Sequence, residues 1–170
     1  MKKLTLLIFA IAFCFNVNGQ LKVGDKVPDF QLRDQNGVLF KSTEVIGKEI
    51  VVLYFYPKDD TPGCTKEACS FRDNFEVFAD AGARVIGISG DNVASHKKFE
   101  EKYNLPFTLL ADTDDKLRDL FGVEGDLFGL IPGRVTYMVD KKGIIAYIFD
   151  SQTNTEKHIS ESLAAIKRLK

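Results

Sequence analysis

Ile50-Val51-Val52-Leu53-Tyr54-Phe55-Tyr56 is a continuous apolar, β-branched and aromatic run, the pattern of a strand covered on both faces, and predicts the central strand of a sheet. Arg84–Ser89 repeats the pattern, and the stretch from Pro62 to Asp80 between the two carries Phe71, Phe75 and Phe78 at near-helical spacing. The three segments read as a β-α-β unit. Asp91 to Tyr103 predicts a helix, Phe107–Leu110 a short strand, and Asp114 to Phe121 another helix. Val135–Val139 and Ile144–Phe149, joined by Asp140-Lys141-Lys142-Gly143, predict a hairpin, followed by a closing helix over Thr155–Leu169. Near the start, Phe30–Leu32 and Val38–Phe40 flank Asn36-Gly37, the signature of a second small hairpin. Parallel strands first, then an antiparallel pair and a terminal helix, give an α/β domain with a mixed sheet flanked by helices, the thioredoxin-like plan.

The first twenty residues follow another pattern: Lys2-Lys3, the apolar run Leu4–Phe15, then Asn16-Val17-Asn18-Gly19. A basic head, an apolar stretch and a small-residue end predict a secretory leader over residues 1–19, removed after Gly19, with one domain over residues 20–170. The apolar run is shorter than the roughly 20 residues a spanning helix needs. A retained N-terminal anchor is therefore the lesser alternative, and the expected product is an exported, periplasmic protein with no stable membrane association. Cys14 would leave with the leader, so that only Cys64 and Cys69 remain.

Composition narrows the function classes. The chain of 170 residues is 45% hydrophobic and 28% charged, enough for one domain with its own core. Without Lys2 and Lys3, 21 scattered basic residues face 24 acidic ones, which leaves no patch for nucleic acid. His96 and His158 lie far apart and no Cys/His ligand spacing occurs, so no metal is expected; the thiol chemistry set out below calls for no cofactor.

Pro57-Lys58-Asp59-Asp60-Thr61-Pro62-Gly63-Cys64-Thr65-Lys66-Glu67-Ala68-Cys69 follows the central strand and carries the candidate chemistry. Thr61 suits an N-cap and Pro62 the first helical position, which puts Cys64 where unpaired N–H groups and the positive end of the helix dipole converge. Such places lower a cysteine pKa from about 8.5 toward roughly 3.5–7.5, and the thiolate is the form that attacks electrophiles.

Pro57, Thr61 and Cys64 fit the Pro-x-x-x-Thr/Ser-x-x-Cys signature of peroxiredoxins, and Cys69, five positions on, resembles the bacterioferritin comigratory or Q-type branch. Leu127-Phe128-Gly129-Leu130-Ile131-Pro132-Gly133-Arg134-Val135-Thr136-Tyr137 is similar to that branch's arginine segment, so the resemblance runs from about Val23 to Leu169. It implies a thiol peroxidase that reduces hydrogen peroxide and organic hydroperoxides, with Cys64 as peroxidatic nucleophile and Cys69 as resolving thiol. It further implies an intramolecular Cys64–Cys69 disulfide, thioredoxin or a thioredoxin-like protein as reductant, and a monomer. With export expected, that reductant would have to be an exported one.

Physical reasoning assigns roles beside the resemblance. The Thr61 hydroxyl and the Gly63 and Cys64 N–H groups are placed to donate to peroxide oxygens, and Arg134 to favour the thiolate and the leaving oxygen. Pro57 would end the strand and shield the sulfur, and Glu67, one turn beyond Cys64, to bond with site groups. Taken singly the same residues are plain: Pro57 a strand terminator, Thr61 a cap, Arg134 and Glu67 solvated charges. Asp59 and Asp60 read as surface charges, and Tyr54 and Tyr56 as core. Residues five apart on a regular helix have Cα atoms about 8–9 Å apart, and a disulfide needs less than about 7 Å. Cys64 and Cys69 can therefore join only if the helix between them unwinds.

Two rivals stand beside this reading. One is an exported thioredoxin-like thiol–disulfide oxidoreductase, which would call for Cys-x-x-Cys where this chain has Cys-x-x-x-x-Cys. The other is a non-catalytic binding domain with a structural disulfide, a bond that would restrict so short a loop little.

Overall fold

β3 (Ile50–Phe55) is buried at every residue, as its unbroken apolar run requires, and the molecule is built around it. The computed structural model describes residues 20–126 and 129–169, so the expected leader lies outside the described residues, as do Leu127 and Phe128 of the arginine segment. Among the described residues the strands are β1 (Gln31–Asp34), β2 (Leu39–Lys41), β3, β4 (Ala83–Ser89), β5 (Thr108–Ala111), β6 (Val135–Val139) and β7 (Ile145–Asp150), in the sheet order β2-β1-β5-β4-β3-β6-β7. β3, β4 and β5 run parallel, and β1, β6 and β7 are antiparallel to their inner neighbours. The helices are α1 (Pro62–Asp73), α2 (Phe75–Asp80), α3 (Val93–Tyr103), α4 (Lys116–Phe121) and α5 (Thr155–Leu169). This is the thioredoxin-like arrangement expected from the sequence.

Alternation along β3 divides the core. Ile50, Val52, Tyr54 and Tyr56 pack with Cys64, Ala68, Phe71 and Phe78 on the face that carries α1, α3 and α5, whereas Val51, Leu53 and Phe55 pack with Leu117, Phe121 and Tyr137 on the other. Tyr54 stacks on Phe71 with ring centroids 4.6 Å apart, and its ring lies over Gly87 of β4, where an added Cβ would stand 2.6 Å from the Tyr54 hydroxyl.

The helix expected over Pro62–Asp80 is two helices, broken at Asn74 (φ −107°, ψ 10°), whose side-chain amide donates to the Ser70 carbonyl at 2.9 Å. The phenylalanine spacing runs on through the break, which is why periodicity alone joined the two. A short 3-10 turn at Ser42–Glu44 also went unread.

Two features of the fold bring the site together. α1 starts where β3 ends, which puts its N-terminus at the carboxyl edge of the sheet. The β3–β6 register then pairs Phe55 with Val135 and Tyr54 with Thr136, so Arg134 falls beside the end of β3, on the same face of β6 as Thr136.

Candidate active site

Cys64 lies in the first turn of α1 and is only 2% exposed. Pro62 has no N–H to offer, and among the described residues no partner is present for the N–H groups of Gly63 and Cys64; the first turn's bond to Thr61 O comes from Thr65, at 2.8 Å. Those two donors and the helix dipole converge on the space beside the sulfur.

Thr61 stands at the N-cap position with extended backbone (φ −86°, ψ 150°), but its side chain makes no capping bond. Its hydroxyl donates backward to the Lys58 carbonyl at 3.0 Å. The proton expected to face a substrate is therefore already engaged, and the oxygen's lone pairs are the free part. Pro57 is half-buried between β3 and α1.

Arg134 is brought in from a distant part of the chain and is 4% exposed. Nη2 donates to Cys64 Sγ at 3.3 Å, Nε to the Gln152 carbonyl at 3.2 Å, and Nη1 to Glu67 Oε2. Burial works against its charge, yet Glu67 and Cys64 outweigh that and hold the guanidinium above its ordinary range. Gly63 belongs to the same contact, because a Cβ there would lie 3.4 Å from Arg134 Nη2. Pro57, Thr61, Gly63, Cys64, Glu67 and Arg134 thus share one corner of the fold. Cys69, half-buried five residues along the intact helix, stands apart as a free thiol.

Glu67 is wholly buried and meets the site through Arg134, not through solvent. Burial pushes its carboxyl up to about 8, against the downward pull of Arg134. Beneath it sits His158 of α5, also wholly buried. The Ser151 carbonyl, 2.9 Å away, can only accept, so His158 Nε2 carries the proton, and Nδ1 accepts from the Thr136 hydroxyl at 2.7 Å. Burial drops His158 to about 4 and keeps the ring neutral.

A second brace joins the two loops that carry the site. Buried Arg118 donates through Nη1 to the Gly133 carbonyl at 3.0 Å and through Nη2 to the Tyr56 carbonyl at 3.1 Å, just before Arg134 and Pro57 respectively. Asp59, expected at the surface, is in fact buried: it accepts from the Tyr56 and Ser95 hydroxyls at 2.7 and 2.8 Å and lies 2.9 Å from His96 Nδ1. The active-site loop is thus tied to α3. Asp60 is exposed as expected, held at 2.7 Å by Lys102 and at 2.6 Å by Tyr103. His158, Thr136 and Arg118 carry no local motif. Only their partners across the fold identify them.

Among the described residues no cluster of His, Cys, Asp or Glu is arranged for a metal ion, and no helix is long and apolar enough to cross a membrane. The site brings together a buried sulfur, a fixed cation and two N–H donors without partners among the described residues, the kind of parts that can attack a weak O–O bond and hold the oxygen that leaves.

Residues 23–148 match the AhpC/TSA family. The chloroplastic peroxiredoxin Q of Triticum aestivum is 54% identical over 153 residues, spanning 90% of this chain and 70% of that protein. Peroxidoxin BcpB from Mycobacterium tuberculosis superposes with a TM-score of 0.82 at 35% identity, over 89% of this chain and 99% of that one. The bacterioferritin comigratory protein of Xanthomonas campestris, described with alkyl peroxide reduction activity, gives a TM-score of 0.74 at 31% identity, over 82% of this chain and 90% of that one. The wheat relative, like those of Oryza sativa and Arabidopsis thaliana, is named chloroplastic, which points to a plastid and overturns the expected periplasmic location. That expectation rested on residues 1–19 alone, where a basic head and an apolar stretch were read as an export signal. The requirement for an exported reductant falls with it.

Proposed function

We propose, from the premise that the chain belongs to the AhpC/TSA family and is a peroxiredoxin of the Q or bacterioferritin comigratory branch, a thiol peroxidase, that Cys64 is its peroxidatic nucleophile and Cys69 its resolving thiol. The 3.3 Å contact between Arg134 Nη2 and Cys64 Sγ carries the reading. A buried guanidinium against the sulfur favours the anion, and its planar fork can hold sulfur and an incoming oxygen at once. The thiolate attacks the near oxygen of a hydroperoxide, the O–O bond breaks, and the far oxygen leaves as water or alcohol. The Gly63 and Cys64 N–H groups and Arg134 stabilise the charge that develops on the oxygens. The Thr61 oxygen accepts the hydroperoxide O–H, and Pro57 keeps water from the thiolate's outer side.

The Cys64 sulfenic acid then condenses with the Cys69 thiol, releasing water. Because α1 is intact across both cysteines, their Cα atoms are about 8–9 Å apart, and the step requires the first turns of α1 to unwind. Thioredoxin or a thioredoxin-like dithiol returns the disulfide to two thiols, and residues 20–170 act as a monomer without a cofactor.

The test is an asymmetry. Cys64→Ser should abolish peroxide consumption, whereas Cys69→Ser should complete one sulfenic acid per chain and then stall or overoxidise. Equal loss of the first reaction in both variants contradicts the assignment. The rival thiol–disulfide oxidoreductase would reduce insulin without turning over peroxide.

A further inference from the structure

Glu67 has a competitor for its cation. Arg134 presents Nη1 to the Glu67 carboxyl and Nη2 to the Cys64 sulfur, two acids on one guanidinium, and no second cation is paired with either among the described residues. The other groups facing Glu67 donate no hydrogen bond to it. From α5, His158 Nδ1 lies 3.6 Å from Oε1, but its lone pair is taken by the Thr136 hydroxyl of β6 and its one N–H by Ser151. From β3, the Tyr54 hydroxyl is buried and unbonded. Burial holds that tyrosine well above its ordinary range, so it adds no charge. Glu67 Oε1 itself has no partner. A carboxylate there would be an ion with one oxygen stranded in a dry site, while a neutral carboxyl fits. The upward push on Glu67 and the downward push on His158 agree with this.

Position on the helix adds an independent argument. Glu67 lies between Cys64 and Cys69, on the segment that must unwind for the two sulfurs to meet. Disulfide formation therefore withdraws Glu67 from Arg134 and carries it toward water, where a carboxyl ionises.

We propose that the Cys64 sulfur and the Glu67 carboxyl share a single negative charge across Arg134, the proton sitting on Glu67 while the sulfur is a thiolate and leaving it when the sulfur is oxidised. The proposal rests on the peroxidase reading and adds a proton carrier to it. The balance is closed: Cys64 thiolate, Cys69 thiol, Glu67 carboxylic acid and ROOH give the disulfide, Glu67 carboxylate, ROH and water. Sulfur loses two electrons to the O–O bond. The leaving RO⁻ gains, net of exchange with solvent, the proton that Glu67 gives up, and the Cys69 proton departs in the water. His158 is a positioning residue here, since its neutral ring and engaged nitrogens deny Glu67 a donor.

The experiment adds one equivalent of hydrogen peroxide to the reduced full chain in weak buffer at neutral pH. It follows thiolate ultraviolet absorbance, disulfide mass and an indicator dye together. The wild type should lose its thiolate band and form the disulfide with close to no proton uptake, whereas Glu67→Gln should take up one proton per disulfide. Infrared difference spectra should contain the carbonyl stretch of a protonated carboxyl in the reduced wild type. That band should vanish on oxidation and be absent from Glu67→Gln. Should Glu67→Gln fail to fold, the wild type decides alone: its carboxyl band must be present in the reduced protein and lost on oxidation, with close to no proton uptake. Uptake of one proton per disulfide by the wild type with its thiolate band present, or a carboxyl band indifferent to oxidation, overturns the proposal and leaves the peroxidase reading standing. Absence of both thiolate and peroxide reaction overturns the two together.

Discussion

Replacing Gly133 by alanine tests whether the placement of Arg134, and not merely its presence, sets the rate of peroxide attack. An added Cβ would lie 1.9 Å from the Glu124 carbonyl oxygen, 3.1 Å from its carbon and 3.2 Å from Val123 Cγ1, where real Cβ atoms keep at least 3.0 Å. Backbone must therefore move by about 1 Å, since no flexible side chain is available to yield at the closest contact. Both sides are pinned by Arg118: its Nη1 donates to the Gly133 carbonyl at 3.0 Å, and its carbonyl accepts the Val123 N–H at 3.1 Å. Arg134 follows directly in the chain and donates to Cys64 Sγ at 3.3 Å, so a shift of that size carries its Nη2 out of hydrogen-bonding reach. A misplacement of about 1 Å costs on the order of 100-fold in rate, and the overpacking itself about 1–3 kcal/mol of stability. The assay pairs stopped-flow oxidation of the reduced protein by hydrogen peroxide with denaturant unfolding of the same sample. A Gly133→Ala protein that is folded and reacts at the parent rate refutes the reasoning.

Three further outcomes follow from the geometry. Arg134→Ala should slow peroxide attack by about 100- to 1,000-fold, the cost of removing one charge-stabilising donor, and thiolate absorbance at neutral pH should fall with it; unchanged absorbance removes its role at the sulfur. His158 is lowered from 6.5 to about 4 by burial, so the unfolded chain takes up its proton first, and stability is complete above pH 6.5 and declines as pH falls toward 4. The decline is worth about 3 kcal/mol, and unfolding curves of His158→Asn should lack that component. Gly87→Ala would set a Cβ 2.6 Å from the Tyr54 hydroxyl and 2.8 Å from Leu109 Cδ2; it should cost about 1–3 kcal/mol in denaturant unfolding while leaving the Arg134–Cys64 contact in place.

Much of the architecture was legible because its signals are local. The Ile50–Tyr56 run, the Asp140–Gly143 turn and the apolar stripe of Thr155–Leu169 each commit a segment to one conformation before any partner is known. Cys64 was legible for the same reason, since Thr61 and Pro62 beside it announce a helix start. What escaped depends on residues far apart in sequence. Asp59 looks like one more charge beside Asp60 until α3 delivers Ser95 and His96 to it, and His158 looks like a surface position on an amphipathic helix until β6 supplies Thr136. The break at Asn74 escaped for the opposite reason: Phe71, Phe75 and Phe78 keep helical spacing straight through it. The Thr61 hydroxyl was assigned a donor's role that its bond to Lys58 already fills. Location was misread because residues 1–19 offered only a general pattern of charge and hydrophobicity.

The central claim is that Cys64 attacks peroxide as an anion and that Cys69 resolves it once α1 opens. Mass spectrometry of the reduced protein, quenched at intervals after one equivalent of hydrogen peroxide and mapped by peptide, addresses it directly. Oxygen should appear first on Cys64 alone and then give way to an intramolecular bond between Cys64 and Cys69. Oxidation that begins at Cys69, or a Cys64 that stays reduced while peroxide persists, contradicts the account.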